Sequence, residues 1–170
     1  ALPLGWDETW HTYLASLSTW RDFFKQIKFN SHPPLFYILL RGFDYLSGPG
    51  KILRIVPLLC GLSLIGTFYL ILKQLKAGRQ ALVVLFLFSC SYEFISLTTS
   101  LRGYTLSLLL CFLNFYFFLG FLEGKSIWLP VTSAFLVIYS DIFCVIYFLG
   151  VVLSTLLVTV YDSQFRGGAR

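Results

Sequence analysis

Charge is what this chain has least of: 12% of its 170 residues are Asp, Glu, Lys or Arg, against about 25% in soluble domains. That shortage excludes an ordinary soluble domain. With 57% hydrophobic residues and a mean hydropathy of +0.77, the composition is that of a membrane protein. Long basic runs are also missing, so the net charge of +5 is distributed among short loops and no nucleic-acid-binding stripe is present. Cysteine is sparse. Cys60, Cys90, Cys111 and Cys144 each fall inside an apolar run without metal-type spacing, which makes them small buried side chains before disulfides or ligands. Methionine is absent, position 1 included, and no signal peptide opens the chain. The expectation is a fragment lacking an upstream transmembrane helix and a downstream portion.

What the chain does have is apolar helix. Residues 9–29 read as an amphipathic surface helix, with Tyr13, Leu14, Leu17, Trp20, Phe24 and Ile27 at spacings of three and four and Arg21, Asp22, Lys25 and Lys28 between them. Pro33-Pro34 suits the first turn of a second helix. Its run from Leu35 to Ser47 covers roughly 20 Å, short of the roughly 30 Å hydrocarbon core, and contains Arg41 and Asp44. It reads as a second surface helix, with a short spanning helix as the alternative. After the break at Ser47-Gly48-Pro49-Gly50 come apolar runs at 55–72, 81–98, 103–122, 127–140 and 143–161, the last two divided at Asp141. The expected fold class is all-α: a polytopic membrane helical bundle of about five transmembrane helices with two amphipathic surface helices. A single module covers 1–170, with an extracytoplasmic loop over 1–50, transmembrane helices over 51–162 and a cytoplasmic tail over 163–170.

Orientation follows from the basic loops. Lys73, Lys76 and Arg79 form the densest short basic loop, which the positive-inside rule makes cytoplasmic. Alternation then puts Lys125, Arg166 and Arg170 on the same side. It places residues 1–50, Arg102 and Asp141 on the outer side, so Asp7, Glu8, His32, Arg102 and Asp141 are expected at one level.

Each of these residues has two readings. Asp7-Glu8 is either a solvated pair or a functional one, in which one carboxylate takes a proton and the other orients it or holds a metal. His32, beside Pro33-Pro34, is either a helix-start cap or a metal ligand, phosphate contact or acid–base group. Arg102, between two apolar runs, suits a lipid phosphate or a snorkelling anchor. Glu93, about one and a half turns inside its run, is a functional candidate as an intramembrane ionisable group, or reaches the interface. Asp141 shares that ambiguity. Lys51 and Arg54 read as boundary anchors.

In this order the residues resemble the N-terminal part of the polytopic GT-C glycosyltransferases, which include the protein O-mannosyltransferases, the aminoarabinose lipid A transferases and their bacterial relatives. The matching segments are Asp7-Glu8, His32-Pro33-Pro34-Leu35, Gly48 to Arg54, and Thr98 to Tyr104 with Arg102 and Tyr104 in register. Two departures stand out. Ser100 occupies a position that is acidic in many relatives, and a proline common near Tyr92 is missing.

The resemblance implies that Asp7 is the base activating an acceptor nucleophile, supported by Glu8. His32 would lie near the reacting groups or a metal, leaving room for a divalent ion as cofactor. Arg102 with Tyr104 would contact the phosphate of a polyprenyl-phosphate sugar donor, with Glu93 and Asp141 as secondary candidates. The expected partners are membrane lipid, that donor and an acceptor of unspecified type, with no nucleic acid. The expected location is a bacterial plasma membrane with an extracytoplasmic active site, on the basic pI and the lack of eukaryote-type loop insertions. The competing functions are a transporter or flippase fragment, which needs polar residues at the midplane where only Glu93 and Asn114 qualify, and a non-catalytic scaffold, for which the outer acids are dispensable.

Overall fold

The structure, a computed structural model, describes residues 6–28, 34–47, 53–141 and 144–153. Among the described residues all regular structure is helical: α1 (Trp6–Ala15), α2 (Trp20–Ile27), α3 (Leu35–Ser47), α4 (Ile55–Gln74), α5 (Gln80–Ser89), α6 (Tyr92–Thr99), α7 (Tyr104–Leu122), α8 (Trp128–Ser140) and α9 (Cys144–Leu153). His32, Lys51 and the Gly48–Gly50 break lie outside the described residues, as does the side chain of Asp7.

Among the described residues two helices, α4 and α7, are long and apolar enough to cross a membrane, and α5 with α6 makes a third span if the bent pair is one crossing. Helices α8 and α9 are apolar but shorter than a span over their described residues. The outward faces of α4, α5 and α8 carry exposed Leu58, Leu62, Leu82, Phe86, Leu87 and Phe135. Soluble proteins rarely tolerate a contiguous apolar exterior of this extent, whereas a helix satisfies its own backbone in hydrocarbon. The chain is a helical membrane bundle.

The surface segment differs from the single helix expected over 9–29. It breaks between Ala15 and Trp20, because Thr19 adopts an extended conformation and caps α2: its hydroxyl accepts from the Asp22 N–H at 3.1 Å and donates to the Asp22 carboxylate at 2.6 Å. Short hydroxyl side chains compete with the helical ladder in this way. The break also shifts the buried face. Phe23 and Ile27 point inward and pack with Leu14 and Tyr37, while Trp20 and Phe24 stay half exposed.

Helix α3 has the expected bounds and forms the floor of this layer. Tyr37 faces α1 and α2. Phe36 and Leu40 join the main core with Leu53, Val56, Leu64, Leu101, Leu109 and Val137. Arg41, only 6% exposed, holds the layer together: its guanidinium lies 4.6 Å from the Trp20 ring centre and 4.8 Å from that of Phe23, and it donates to the Ala15 carbonyl at 3.4 Å. An arginine in an apolar helix, which argued against a span, is explained by this aromatic seat.

The run at 81–98 is also not one helix. It bends by 56° between α5 and α6, where the Ser91 hydroxyl donates to the Phe88 carbonyl at 2.8 Å and accepts from the Phe94 N–H at 3.3 Å. Phe88 and Phe94 fill the bend, their ring centres 4.9 Å apart, and Phe88 and Phe112 close around Phe68. Beyond the bend, α6 lies close on α4, with Thr98 against Gly61. A glycine at such a crossing lets two helices approach as side-chain-bearing residues cannot.

One end of the bundle collects the layer and the turns. Phe36 of α3 sits on Gly103 at the start of α7, and α3 also touches α4 and α8. Helix α8 meets α7 at mid-height, where Asn114 donates to the Pro130 carbonyl at 2.8 Å and to Ser133 at 2.9 Å. It then returns to the same end and stops at Asp141, which is extended and buried.

Candidate active site

The site begins with Glu8 in the first turn of α1. Its side chain is 12% exposed, and it joins three separate pieces of chain. One oxygen, Oε2, accepts from Arg54 Nη2 at 2.9 Å, and Oε1 accepts from the backbone N–H of Leu101 at 2.8 Å. Arg54 immediately precedes α4, and Leu101 lies in the corner between α6 and α7. A carboxylate on two donors, one of them cationic, is a charge-assisted arrangement. It ties the surface layer to the end of the bundle.

The corner that supplies the Leu101 N–H is rigid for visible reasons. Ser100 is extended and the Arg102 N–H donates back to its carbonyl at 2.9 Å. The Thr105 hydroxyl closes on the Leu97 carbonyl at 2.7 Å, taking up one of the carbonyls that a helix C-terminus leaves open. The Leu101 side chain is fully buried in the main core. Packing and hydrogen bonds therefore aim this N–H at Glu8 without help from a ligand.

Beside the Glu8–Arg54 pair lies a cavity of about 630 Å³, lined by Glu8, Arg54, Leu58, Ser96, Thr98, Thr99 and Ser100. Its size falls within the roughly 300–1,000 Å³ common for small-molecule sites. The lining combines a carboxylate–guanidinium pair with hydroxyls along the α6 C-terminus, and Leu58 faces them from α4. The Thr99 and Ser100 hydroxyls donate to the Ile95 and Leu97 carbonyls, so their oxygens remain as acceptors for a guest.

The structure brings together some of the expected residues and separates others. Glu8 is central. Arg102 and Tyr104 follow Ser100 directly around the corner, both exposed, but neither lines the cavity. Glu93 stands exposed in the first turn of α6, about 9 Å of helix rise from Thr99 at its other end. It belongs to the bend and not to the middle of a continuous helix. Asp141 caps α8 beside Cys144 and does not line the cavity. Asp7 shares the first turn of α1 with Glu8, and His32 lies outside the described residues.

Two features escaped the sequence. Arg54, read as a boundary anchor, is the partner of Glu8. Ser96, which lines the cavity, was not singled out by any motif. The signals for Arg54 were its place at the head of an apolar run and at the end of the Gly48 to Arg54 segment, and neither distinguishes an anchor from an ion-pair partner. A metal role for Glu8 fits poorly, because both its oxygens already face hydrogen-bond donors. Among the described residues no three His, Cys, Asp or Glu side chains converge as metal ligands.

Comparison with known proteins adds one finding. Residues 31–163 match the family model for dolichyl-phosphate-mannose-protein mannosyltransferase, a stretch that starts after Asp7-Glu8 and includes Arg54, the α6–α7 corner and Asp141. No curated protein and no solved structure matches the chain. The matched stretch covers well over half of the sequence and coincides with an apolar helical bundle, so the chain is an integral membrane protein that belongs to the dolichyl-phosphate-mannose-protein mannosyltransferase family of membrane glycosyltransferases.

Proposed function

We propose that this protein transfers a sugar from a polyprenyl-phosphate-linked donor to a hydroxyl-bearing acceptor on the extracytoplasmic side of the membrane. The observation that carries the reading is the Glu8 bridge to Arg54 and the Leu101 N–H. It ties the acidic pair, which precedes the matched stretch, to helices inside it. In this reading Asp7 takes the proton of the acceptor hydroxyl as the sugar C1–oxygen bond to the donor phosphate breaks and the new glycosidic bond forms. Glu8 is a positioning residue: its bridge sets where the first turn of α1 sits over the bundle. Arg102 and Tyr104 stabilise charge on the departing lipid phosphate.

The transporter reading is weakened by Asn114. Its amide donates to Pro130 and Ser133, and its oxygen accepts from Tyr147 at 3.1 Å. Helix packing thus consumes the mid-helix polar group that a transport path needs.

The test is transfer from a polyprenyl-phosphate mannose donor to a hydroxyl acceptor peptide by the intact protein in liposomes. Asp7→Asn is expected to lower the rate by about 10²-fold or more, the scale of a lost general base. Undiminished transfer would remove Asp7 from the mechanism, and a scaffold predicts no transfer by the wild type at all.

A further inference from the structure

The outer surface of α2 is not used by the site, and its two flanks differ. Helical spacing puts successive residues about 100° apart. Starting from the buried Phe23 and Ile27 and turning one way, the surface presents Trp20 and Phe24, then Lys28, Arg21 and Lys25. Turning the other way, it presents Gln26 and Asp22 and no cation. Trp20 and Phe24 are 47% and 52% exposed, and their rings stack with centres 5.9 Å apart and planes inclined by 28°. Asp22 lies on the other flank, held by Thr19 at the helix cap, and the three cations Arg21, Lys25 and Lys28 outnumber it.

An aromatic band followed by a cationic band on one flank of a short helix is the profile of a helix lying along a charged lipid surface. The rings reach the level of the glycerol and carbonyl groups, while the Lys and Arg stems extend to the phosphates. A bilayer is necessarily adjacent, because the layer built from α1, α2 and α3 rests on the end of membrane-spanning helices. We propose that the Trp20/Phe24 and Arg21/Lys25/Lys28 flank of α2 docks on anionic phospholipid headgroups of that bilayer. The cation-to-acid imbalance on this flank selects anionic over zwitterionic lipid, since each basic side chain near such a surface adds favourable electrostatic energy that salt weakens. The contact reaches the rest of the layer through Arg41, which is stacked on Trp20 and Phe23 and bonded to the α1 terminus at Ala15. Lipid composition thereby bears on how firmly α1 is held.

The experiment uses the intact protein in nanodiscs with brominated lipid, reading the quenching due to Trp20 as the difference between wild type and Trp20→Phe. In mixed discs at low salt, brominated phosphatidylglycerol should quench Trp20 several-fold more than brominated phosphatidylcholine at equal content. High salt should abolish the preference, and so should the Arg21→Gln/Lys25→Gln/Lys28→Gln variant, whose changes are all at exposed positions. Equal quenching by both lipids would overturn the anionic selectivity. Absence of any Trp20-dependent quenching would overturn the docking itself and turn attention to an acidic protein partner.

Discussion

Glu8 and Arg54, 46 positions apart in sequence, meet at 2.9 Å over the corner between α6 and α7. Their pairing is one of the contacts through which the surface layer engages the polar end of the bundle, beside the Leu101 N–H on Glu8 and the packing of Phe36 on Gly103. Because Glu8 is nearly buried and Arg54 is 34% exposed, the pair lies between a solvated ion pair and a buried one.

This geometry separates the charge of Glu8 from its shape. Glu8→Gln keeps an acceptor for the Leu101 N–H but loses the ionic partner of Arg54, and should cost about 1 kcal/mol. Glu8→Ala abandons both donors and should cost about 2–3 kcal/mol. Thermal unfolding of the detergent-solubilised protein reads both values. Equal, negligible shifts for the two variants would show that the bridge does not hold α1.

The α4–α6 crossing offers a test by crowding and relief. A methyl group at Gly61 collides with the Thr98 Cγ2 atom, so Gly61→Ala should destabilise by about 1–3 kcal/mol. Thr98→Ser removes that methyl while keeping the hydroxyl that donates to the Phe94 carbonyl at 3.0 Å. The double variant should therefore recover most of the loss. Simple additivity of the two changes would mean that these helices do not touch as described.

Asn114 is the shared node of α7, α8 and α9, through Pro130, Ser133 and Tyr147. Interhelical hydrogen bonds in membranes average about 0.6 kcal/mol, with a maximum near 1.7. Tyr147→Phe should accordingly cost about 0.6 kcal/mol and Asn114→Ala about 1–2 kcal/mol. A double-mutant cycle should give a positive coupling between them, and zero coupling would place Tyr147 elsewhere.

Arg41 should matter through its flat guanidinium and not its charge alone. Arg41→Lys keeps the charge but loses the stacking geometry on Trp20 and Phe23, a change worth about 1 kcal/mol. Amide exchange across α2 should quicken by about fivefold, and unchanged exchange in Arg41→Ala would exclude the clamp.

The sequence by itself determined the class of the molecule and most of its helix inventory. Low charge, long apolar runs and the turn at Ser140-Asp141 announce a helical membrane bundle, because burial in hydrocarbon constrains every residue of a span and leaves a dense local signal. The bounds of α3, α4, α7 and α8 were readable for that reason, and the family was readable from ordered short motifs. Tertiary structure alone decided the rest. The breaks at Thr19 and Ser91 depend on single hydroxyls that outcompete a helical ladder, and periodicity does not register them. That Phe23 and not Phe24 is the core residue of α2 follows from that cap. Only folding brings Glu8 to Arg54 and to the Leu101 N–H, since no spacing encodes an encounter across 46 and 93 positions. A carboxylate and an arginine at membrane boundaries are each ordinary in isolation; the rigid α6–α7 corner makes them one site.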